Sequence, residues 1–175
     1  MNMKHFLLAA VLTAVPAGAF AQDWTGPYAG VQVGGSNIDV DDTSPLTGNG
    51  PSYGLFAGYN MQNGAMVFGG EIDYDVTEYD IGDGTAEIDS TTRLKGRIGT
   101  NVGPGLVYGT GGVVWATSPE LGDDSGYFLG LGYEAKVTPN TVLGAELLQH
   151  EFDNYNDGGL DVSVTTLKAR LAFSF

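Results

Sequence analysis

The chain has 175 residues, enough for one domain or one small membrane barrel. Its 21 Asp and Glu against 7 Lys and Arg give a formal charge of −14, which argues against nucleic-acid binding. There is no Cys, hence no disulfide frame, thiolate metal site or Cys nucleophile.

Residues 1–21 read as a secretory signal. Lys4 supplies a basic start, residues 6–15 are apolar, and Ala19-Phe20-Ala21 is a small-x-small cleavage pattern that predicts scission between Ala21 and Gln22. An uncleaved anchor fits less well, because the run falls short of about 20 residues and ends in Pro16 and Gly18. Residues 22–175 form the second predicted unit, which keeps six basic residues and all 21 acids. No other apolar run reaches the roughly 18 residues of a membrane helix, so the exported chain is soluble or crosses a membrane as strands.

The dominant pattern in 22–175 is alternation with period two. In 28–38, Ala29, Val31 and Val33 oppose Gly30, Gln32, Gly34 and Ser36. Segment 52–61 sets Tyr53, Leu55, Ala57 and Tyr59 against Gly54 and Gly58, and 66–76 sets Phe68, Ile72 and Tyr74 against Glu71, Asp73 and Asp75. In 91–100, Leu94 and Ile98 oppose Arg93, Lys95 and Arg97. Segment 106–116 is Gly-rich and leaves its faces unassigned. Segment 126–137 sets Tyr127, Leu129, Leu131, Tyr133 and Ala135 against Phe128, Gly130, Gly132, Glu134 and Lys136; 141–151 sets Leu143, Ala145 and Leu147 against Glu146 and His150. The last, 162–175, sets Leu167, Ala169, Leu171, Phe173 and Phe175 against Thr166, Lys168, Arg170 and Ser174.

Connections alternate in length. Gln62-Asn63-Gly64, 101–105 and Thr138-Pro139-Asn140 carry short-turn chemistry, whereas 39–51, 77–90, 117–125 and 152–161 are longer and polar. Strands of about 10 residues with short turns at one end and long loops at the other are the signature of an outer-membrane barrel. The predicted fold is therefore all-β: a transmembrane eight-stranded antiparallel up-and-down β-barrel, with short turns and both termini periplasmic and four longer loops extracellular.

Charge placement supports this. All six basic residues (Arg93, Lys95, Arg97, Lys136, Lys168 and Arg170) and five acids (Glu71, Asp73, Asp75, Glu134 and Glu146) lie on the Gly and polar face, as expected of a charged lumen. A register placing Asp75 opposite Arg93, Asp73 opposite Lys95 and Glu71 opposite Arg97 pairs three opposite charges at once. Centring the next hairpin on Thr138-Pro139-Asn140 places Glu134 opposite Glu146, and centring the last on its long loop places Glu146 opposite Arg170. A soluble sandwich or lipocalin-like barrel would instead bury the apolar face, and its Gly-rich face would be wetted. The remaining acids gather in the long stretches, which hold no Lys or Arg.

The residues also carry a resemblance. Trp24-Thr25-Gly26-Pro27-Tyr28-Ala29-Gly30, Gly69-Gly70-Glu71-Ile72-Asp73, Lys95-Gly96-Arg97-Ile98-Gly99, Tyr108-Gly109-Thr110-Gly111-Gly112 and Gly130-Leu131-Gly132-Tyr133-Glu134, in that order, resemble the opacity-type small outer-membrane surface-antigen family of Gram-negative bacteria, a porin-family eight-stranded barrel. The terminal Leu171-Ala172-Phe173-Ser174-Phe175 looks like the aromatic signal read by the barrel-assembly machinery, with Phe173 and Phe175 as its aromatics. The resemblance implies exposed loops and roles in envelope integrity, adhesion or host contact, without one defined ligand.

Motifs for chemistry are few. Gly130-Leu131-Gly132-Tyr133-Glu134-Ala135 formally fits a dinucleotide fingerprint, but the strand end and turn at Lys136, Val137, Thr138 and Pro139 replace the helix that motif requires. Residues 80–89 invite an EF-hand comparison, but Gly82 and Gly84 stand where ligating side chains belong. Asp41, Asp42, Asp123, Asp124 and Asp157 are candidates for a looser shared cation site. His150, the single His of 22–175, has Phe152 two positions on, where eight-stranded lipid A deacylases place their Ser nucleophile. No catalytic, cofactor or metal set is expected.

The reading is a monomeric, non-catalytic surface or structural barrel of the outer membrane. Its lumen is plugged by charges, and Tyr28, Tyr53, Tyr59, Tyr127 and Tyr133 anchor it in the bilayer. Expected partners are the lipid bilayer, the barrel-assembly machinery and a host or surface ligand at the loops. The alternatives are a small cation-selective pore, an envelope enzyme acting on lipid, and a metal- or ligand-binding surface barrel. Arg97→Ala is expected to leave Glu71 unpaired.

Overall fold

Period-two alternation sends successive side chains to opposite faces. The computed structural model, which describes residues 22–40, 47–81, 85–118, 122–152 and 162–175, turns that pattern into eight antiparallel strands. They are β1 (Gly26–Val40), β2 (Thr47–Asn63), β3 (Met66–Ile81), β4 (Thr85–Val102), β5 (Gly105–Ser118), β6 (Gly122–Lys136), β7 (Thr141–Phe152) and β8 (Val162–Ser174). Each pairs with its chain neighbours, and β8 closes on β1 to complete an up-and-down barrel. The signal segment, residues 1–21 with Ala21, lies outside the described residues.

The strands run 12 to 18 residues, past the 9–11 or so that a tilted strand needs to cross hydrocarbon. Alternating hydrophobicity marks only the part in lipid, whereas the ladder continues into the polar stretches. The expected 77–90 loop is accordingly mostly hairpin, with Thr77 opposite Asp89 and Ile81 opposite Thr85. Of the stretch compared with an EF-hand, residues 80, 81 and 85–89 belong to that ladder, and Gly82 and Gly84 lie outside the described residues. The ladder likewise reaches Asp39 opposite Thr47 and Ser118 opposite Gly122. The candidate cation ligands Asp41, Asp42 and Asp157 fall outside the described residues; the backbones of Asp123 and Asp124 belong to β6.

At the periplasmic end, β2–β3 and β4–β5 turn through two-residue loops whose first residue, Gly64 or Gly103, has φ of 61° or 57°. Only glycine takes that region freely, as the first residue of a tight two-residue hairpin turn requires. The β6–β7 turn is tied by Thr138, whose Oγ1 accepts the Thr141 amide at 2.9 Å, and by the Val137 amide donating to the Thr141 carbonyl at 2.9 Å. Residues 22–25 fold under the mouth. The Trp24 amide donates to Gln62 Oε1 at 2.9 Å, and the Thr25 amide donates to Asp23 Oδ1 at 2.9 Å, which holds that carboxyl below the usual carboxylate range.

The outer wall is apolar: Leu55, Ile72, Leu94, Ile98, Leu129 and Leu131 are 51–70 % exposed. Tyr53, Tyr59, Tyr74, Trp115 and Tyr127 also face outward, as membrane-interface aromatics do. β5, whose faces the sequence left open, sends Leu106, Tyr108, Thr110 and Val114 inward and Val107, Val113 and Trp115 outward. Tyr28 corrects the anchor expectation. It shares the parity of Gln32 and is a lumen residue, 6 % exposed.

Inside, the lumen is layered. An apolar and aromatic layer of Trp24, Tyr28, Phe56, Val67, Leu106, Tyr108, Val142 and Ala172 lies toward the periplasmic end. Val114, Phe128 and Leu148, with Ala116 and Val164 against them, form a second layer toward the other end. The charged residues lie between.

Candidate functional site: a charged lumen

Ten charged side chains meet inside the barrel: Glu71, Asp73, Asp75, Arg93, Lys95, Arg97, Glu134, Glu146, Lys168 and Arg170, all buried. Five are cations and five anions, so the layer carries no net charge. Burying an ion costs several kcal/mol unless partners replace its water, and here every ion has at least two.

β3 supplies three of the acids and β4 three of the bases, but not in the expected register. Glu71 faces Lys95, Asp73 faces Arg93, Asp75 faces Thr91 and Arg97 faces Gly69. β6–β7 and β7–β8 are displaced from expectation by the same two residues: Glu134 lies opposite Gly144, and Glu146 opposite Gly132 and Lys168. A two-residue shift preserves parity, so each face stands while each partner changes. More than one register sets opposite charges across these ladders, and the observed one does so with Glu71 opposite Lys95, Asp73 opposite Arg93 and Glu146 opposite Lys168. In a narrow lumen, long side chains also reach across the bore.

The observed network therefore both joins neighbouring strands and spans the bore. Lys95 Nζ lies 3.1 Å from Glu71 Oε1, 2.7 Å from Asp73 Oδ2 and 2.7 Å from Glu146 Oε1 on β7. Arg170 on β8 spans Glu71 Oε2 at 2.5 Å and Glu146 Oε2 at 2.7 Å. Arg97 grips Glu134 on β6 through both Nη atoms at 2.6 and 3.3 Å, a geometry only a guanidinium offers. Nearer the extracellular end, Arg93 pairs with Asp73 at 3.2 Å and with Asp75, which Lys168 also contacts. Gln32 Nε2 donates to Asp75 at 2.8 Å and to Asp73 at 3.3 Å.

Two tyrosines that the sequence reading did not place here complete the layer. Tyr28 Oη donates to Glu71 Oε2 at 2.9 Å and accepts from Arg97 Nη1 at 3.1 Å. Tyr108 Oη donates to Glu146 Oε2 at 3.0 Å and accepts from Arg170 Nη1 at 2.9 Å. The Arg97 guanidinium lies 3.9 Å over the Tyr108 ring, and that of Arg170 lies 3.9 Å over Phe56. A signal for both was present: Tyr28 faces Gly58 and Tyr108 faces Gly132, and an aromatic ring folds over a cross-strand glycine.

Lys136 departs from the expected set. It sits half-buried at the periplasmic mouth, where Nζ donates to the Asp23 carbonyl at 2.5 Å and stands 5.3 Å over the Trp24 ring. His150, 2 % exposed, is bonded at both ring nitrogens: Nε2 accepts from Arg93 Nε at 2.9 Å, and Nδ1 lies 3.2 Å from the Val164 carbonyl. Among the described residues, Glu71, Asp73 and Glu146 converge with oxygens within 4.8 Å of one another, a spacing that suits a cation. The Lys95 ammonium already bonds all three.

The unpaired partner expected from Arg97→Ala is also revised. Glu71 keeps Lys95, Arg170 and Tyr28, whereas among the described residues Glu134 keeps only Arg170 Nη1 at 3.7 Å as a counter-charge. Arg97→Ala is expected to cost about 2 kcal/mol, and the additional Glu134→Gln change to recover part of it. Urea unfolding of refolded protein in detergent measures both.

Comparison with known proteins agrees with this architecture. The profile of the family "Outer membrane protein beta-barrel domain" matches residues 7–175. The chain is 30 % identical over 160 residues to a 22 kDa outer membrane protein of Rhizobium leguminosarum bv. viciae, covering 84 % of this chain and 70 % of that one. It is 26 % identical over 159 residues to the 25 kDa outer-membrane immunogenic protein of Brucella abortus, covering 85 % and 73 %. Its fold is similar to the crystal structure of Neisserial surface protein A (TM-score 0.63, 18 % identity, 86 % of this chain and 99 % of that one). It is also similar to Ail, the attachment invasion locus protein of Yersinia pestis (TM-score 0.50, 14 % identity, 85 % and 99 %). An eight-stranded closed barrel with an apolar outer belt, matched by this profile over nearly all of its length, belongs to the outer-membrane β-barrel protein family and resides in the bacterial outer membrane.

Proposed function

We propose that the chain is a non-catalytic barrel whose lumen is closed by its own side chains and whose task lies in envelope integrity and surface display. One observation carries the reading: none of the ten lumen ions has a side chain more than 6 % exposed, and each is held by at least two opposite charges, on neighbouring strands or across the bore. The apolar layers above and below add two further barriers to ions. No residue of the layer is arranged as a nucleophile with a base, since His150 is engaged by Arg93 and Val164. The immunogenic outer-membrane relatives support display of the acidic segments at the cell surface.

On this reading residues 1–21 are removed on export. Phe173 and Phe175, outward-facing and edge-to-face at 5.2 Å, present the terminal signal to the assembly machinery. The acidic outer segments meet a host or surface ligand. Planar-bilayer conductance of refolded residues 22–175, with heat-shifted gel mobility as the check of folding, tests the closed lumen. A folded barrel without current steps is expected. Reproducible cation-selective steps would replace this reading with that of a small pore.

A further inference from the structure

The outward wall of β3, β4 and β5 carries glycines that nothing inside the barrel requires. Gly70 lies opposite Gly96, and Gly96 opposite Gly111; Gly109 is the next outward position of β5. A methyl group at Gly70, Gly96 or Gly109 would meet no atom closer than 3.8 Å. Lumen-facing glycines differ, since a methyl at Gly54, Gly58, Gly112 or Gly132 would come within 2.4 Å of a neighbour. Those inward glycines make room for Asp75, Tyr28, the Leu94 carbonyl and Tyr108. Of the outward ones, Gly111 makes room for Leu129, whose Cδ2 would lie 2.9 Å from a methyl there, but Gly70, Gly96 and Gly109 make room for nothing in this molecule. A strand glycine gives up packing and backbone entropy, and a set of them over open space marks close approach from outside.

These glycines form the floor of a groove of about 1180 Å³. Tyr59, Met61, Phe68 and Ile98 border it on one side, and Leu129 and Leu131 of β6 rise on the other. The two leucines are 70 % and 67 % exposed, among the most protruding side chains of the outer wall. Leu129 stands directly opposite Gly111, and Leu131 opposite Gly109. A ridge and a groove thus lie side by side on one face.

We propose that this face pairs with a second copy of the chain in the membrane, Leu129 and Leu131 of each barrel seating on the glycine floor of the other. A two-fold axis along the membrane normal keeps both barrels at one depth. It also sets the ridge side of one copy against the groove side of its partner, so the contact is self-complementary and closes at two. The axis passes beside β5, where Gly109 allows the closest approach. In lipid, apolar contact brings no gain from expelling water, so association rests on van der Waals fit, which small residues permit. A second copy suits the groove better than lipid, because its complement is built beside it on the same molecule. The pairing departs from the monomer expected of the sequence.

The chain contains no Cys, so single-Cys variants report without background. Gly109→Cys in outer-membrane preparations is expected to give, on oxidation, about tenfold more covalent dimer than Val33→Cys on the opposite wall. Val33 is 59 % exposed, so its yield measures random collision. Adding Gly96→Leu to Gly109→Cys fills the floor and is expected to abolish the dimer. Leu131→Ala, which removes the ridge without adding volume, serves if the leucine variant does not fold, with heat-shifted mobility reporting folding. No dimer from folded Gly109→Cys, equal yields at Gly109 and Val33, or a dimer that survives both ridge and floor changes would each overturn the proposal.

Discussion

Replacing Lys95 with Met is expected to lower the stability of the refolded barrel by about 3–5 kcal/mol, the usual consequence of stranding buried charge. The side chain is similar in length, so packing changes little and the loss is electrostatic. Its ammonium lies within 3.1 Å of oxygens from Glu71, Asp73 and Glu146, three carboxylates on two strands. Removing it leaves three acids around one point, with Arg170 on Glu71 and Glu146, and Arg93 and Lys168 on Asp73, as remaining counter-charges. Because those oxygens sit within 4.8 Å of one another, a hard divalent cation can take the ammonium's place. Millimolar Ca²⁺ is therefore expected to restore part of the urea midpoint of Lys95→Met and to leave the parent protein unmoved. A variant as stable as the parent, or one indifferent to Ca²⁺, would show that the carboxylates relax apart and that Lys95 does not organise the layer.

The second large effect is expected from a single methyl group. Gly132→Ala places a Cβ 2.2 Å from Cζ of Tyr108, a ring that cannot retreat. The Arg97 guanidinium lies on the ring, and its hydroxyl is bound between Glu146 and Arg170. Overpacking of a filled interior typically costs 1–3 kcal/mol, and losing a hydrogen bond to a charged group about 1.5–3 more. A total near 3 kcal/mol or above is expected, read as a lowered unfolding midpoint. Gly96→Ala is the internal comparison, since its Cβ meets nothing within 3.8 Å, and its stability should match the parent. Equal effects of the two alanines would remove the distinction between inward and outward glycines.

The glycine contrast and the ion network both bear on what was legible beforehand. Strand number, order and the face of nearly every charged residue follow from local alternation, because a strand presents its side chains with period two whatever it pairs with. Arg93, Lys95, Arg97, Lys168 and Arg170, with Glu71, Asp73, Asp75, Glu134 and Glu146, were therefore assignable to one wall by parity alone. Tyr28 was equally assignable by its parity with Gln32, but an aromatic near a strand end suggested the bilayer interface and overrode the pattern. β5 resisted because seven of its fourteen residues, from Gly105 through Gly112 to Val114, are glycine or valine spaced without regular alternation. Its inward Tyr108 was lost with it.

What tertiary structure decided is who meets whom. The turn bonds of Thr138 set the β6–β7 register two residues from the one expected by centring the hairpin on Thr138-Pro139-Asn140, and β3–β4 and β7–β8 differ by the same step. Closure of the sheet then brought Lys95 to Glu146 and Arg170 to Glu71 across the bore, contacts between strands far apart in the chain. Closure also decided that Lys136, on the lumen face by parity, stops at the mouth beside Trp24. Period fixes only on which side of its own strand a residue lies; register and curvature, which depend on turns and on all eight strands at once, set its depth and its partner.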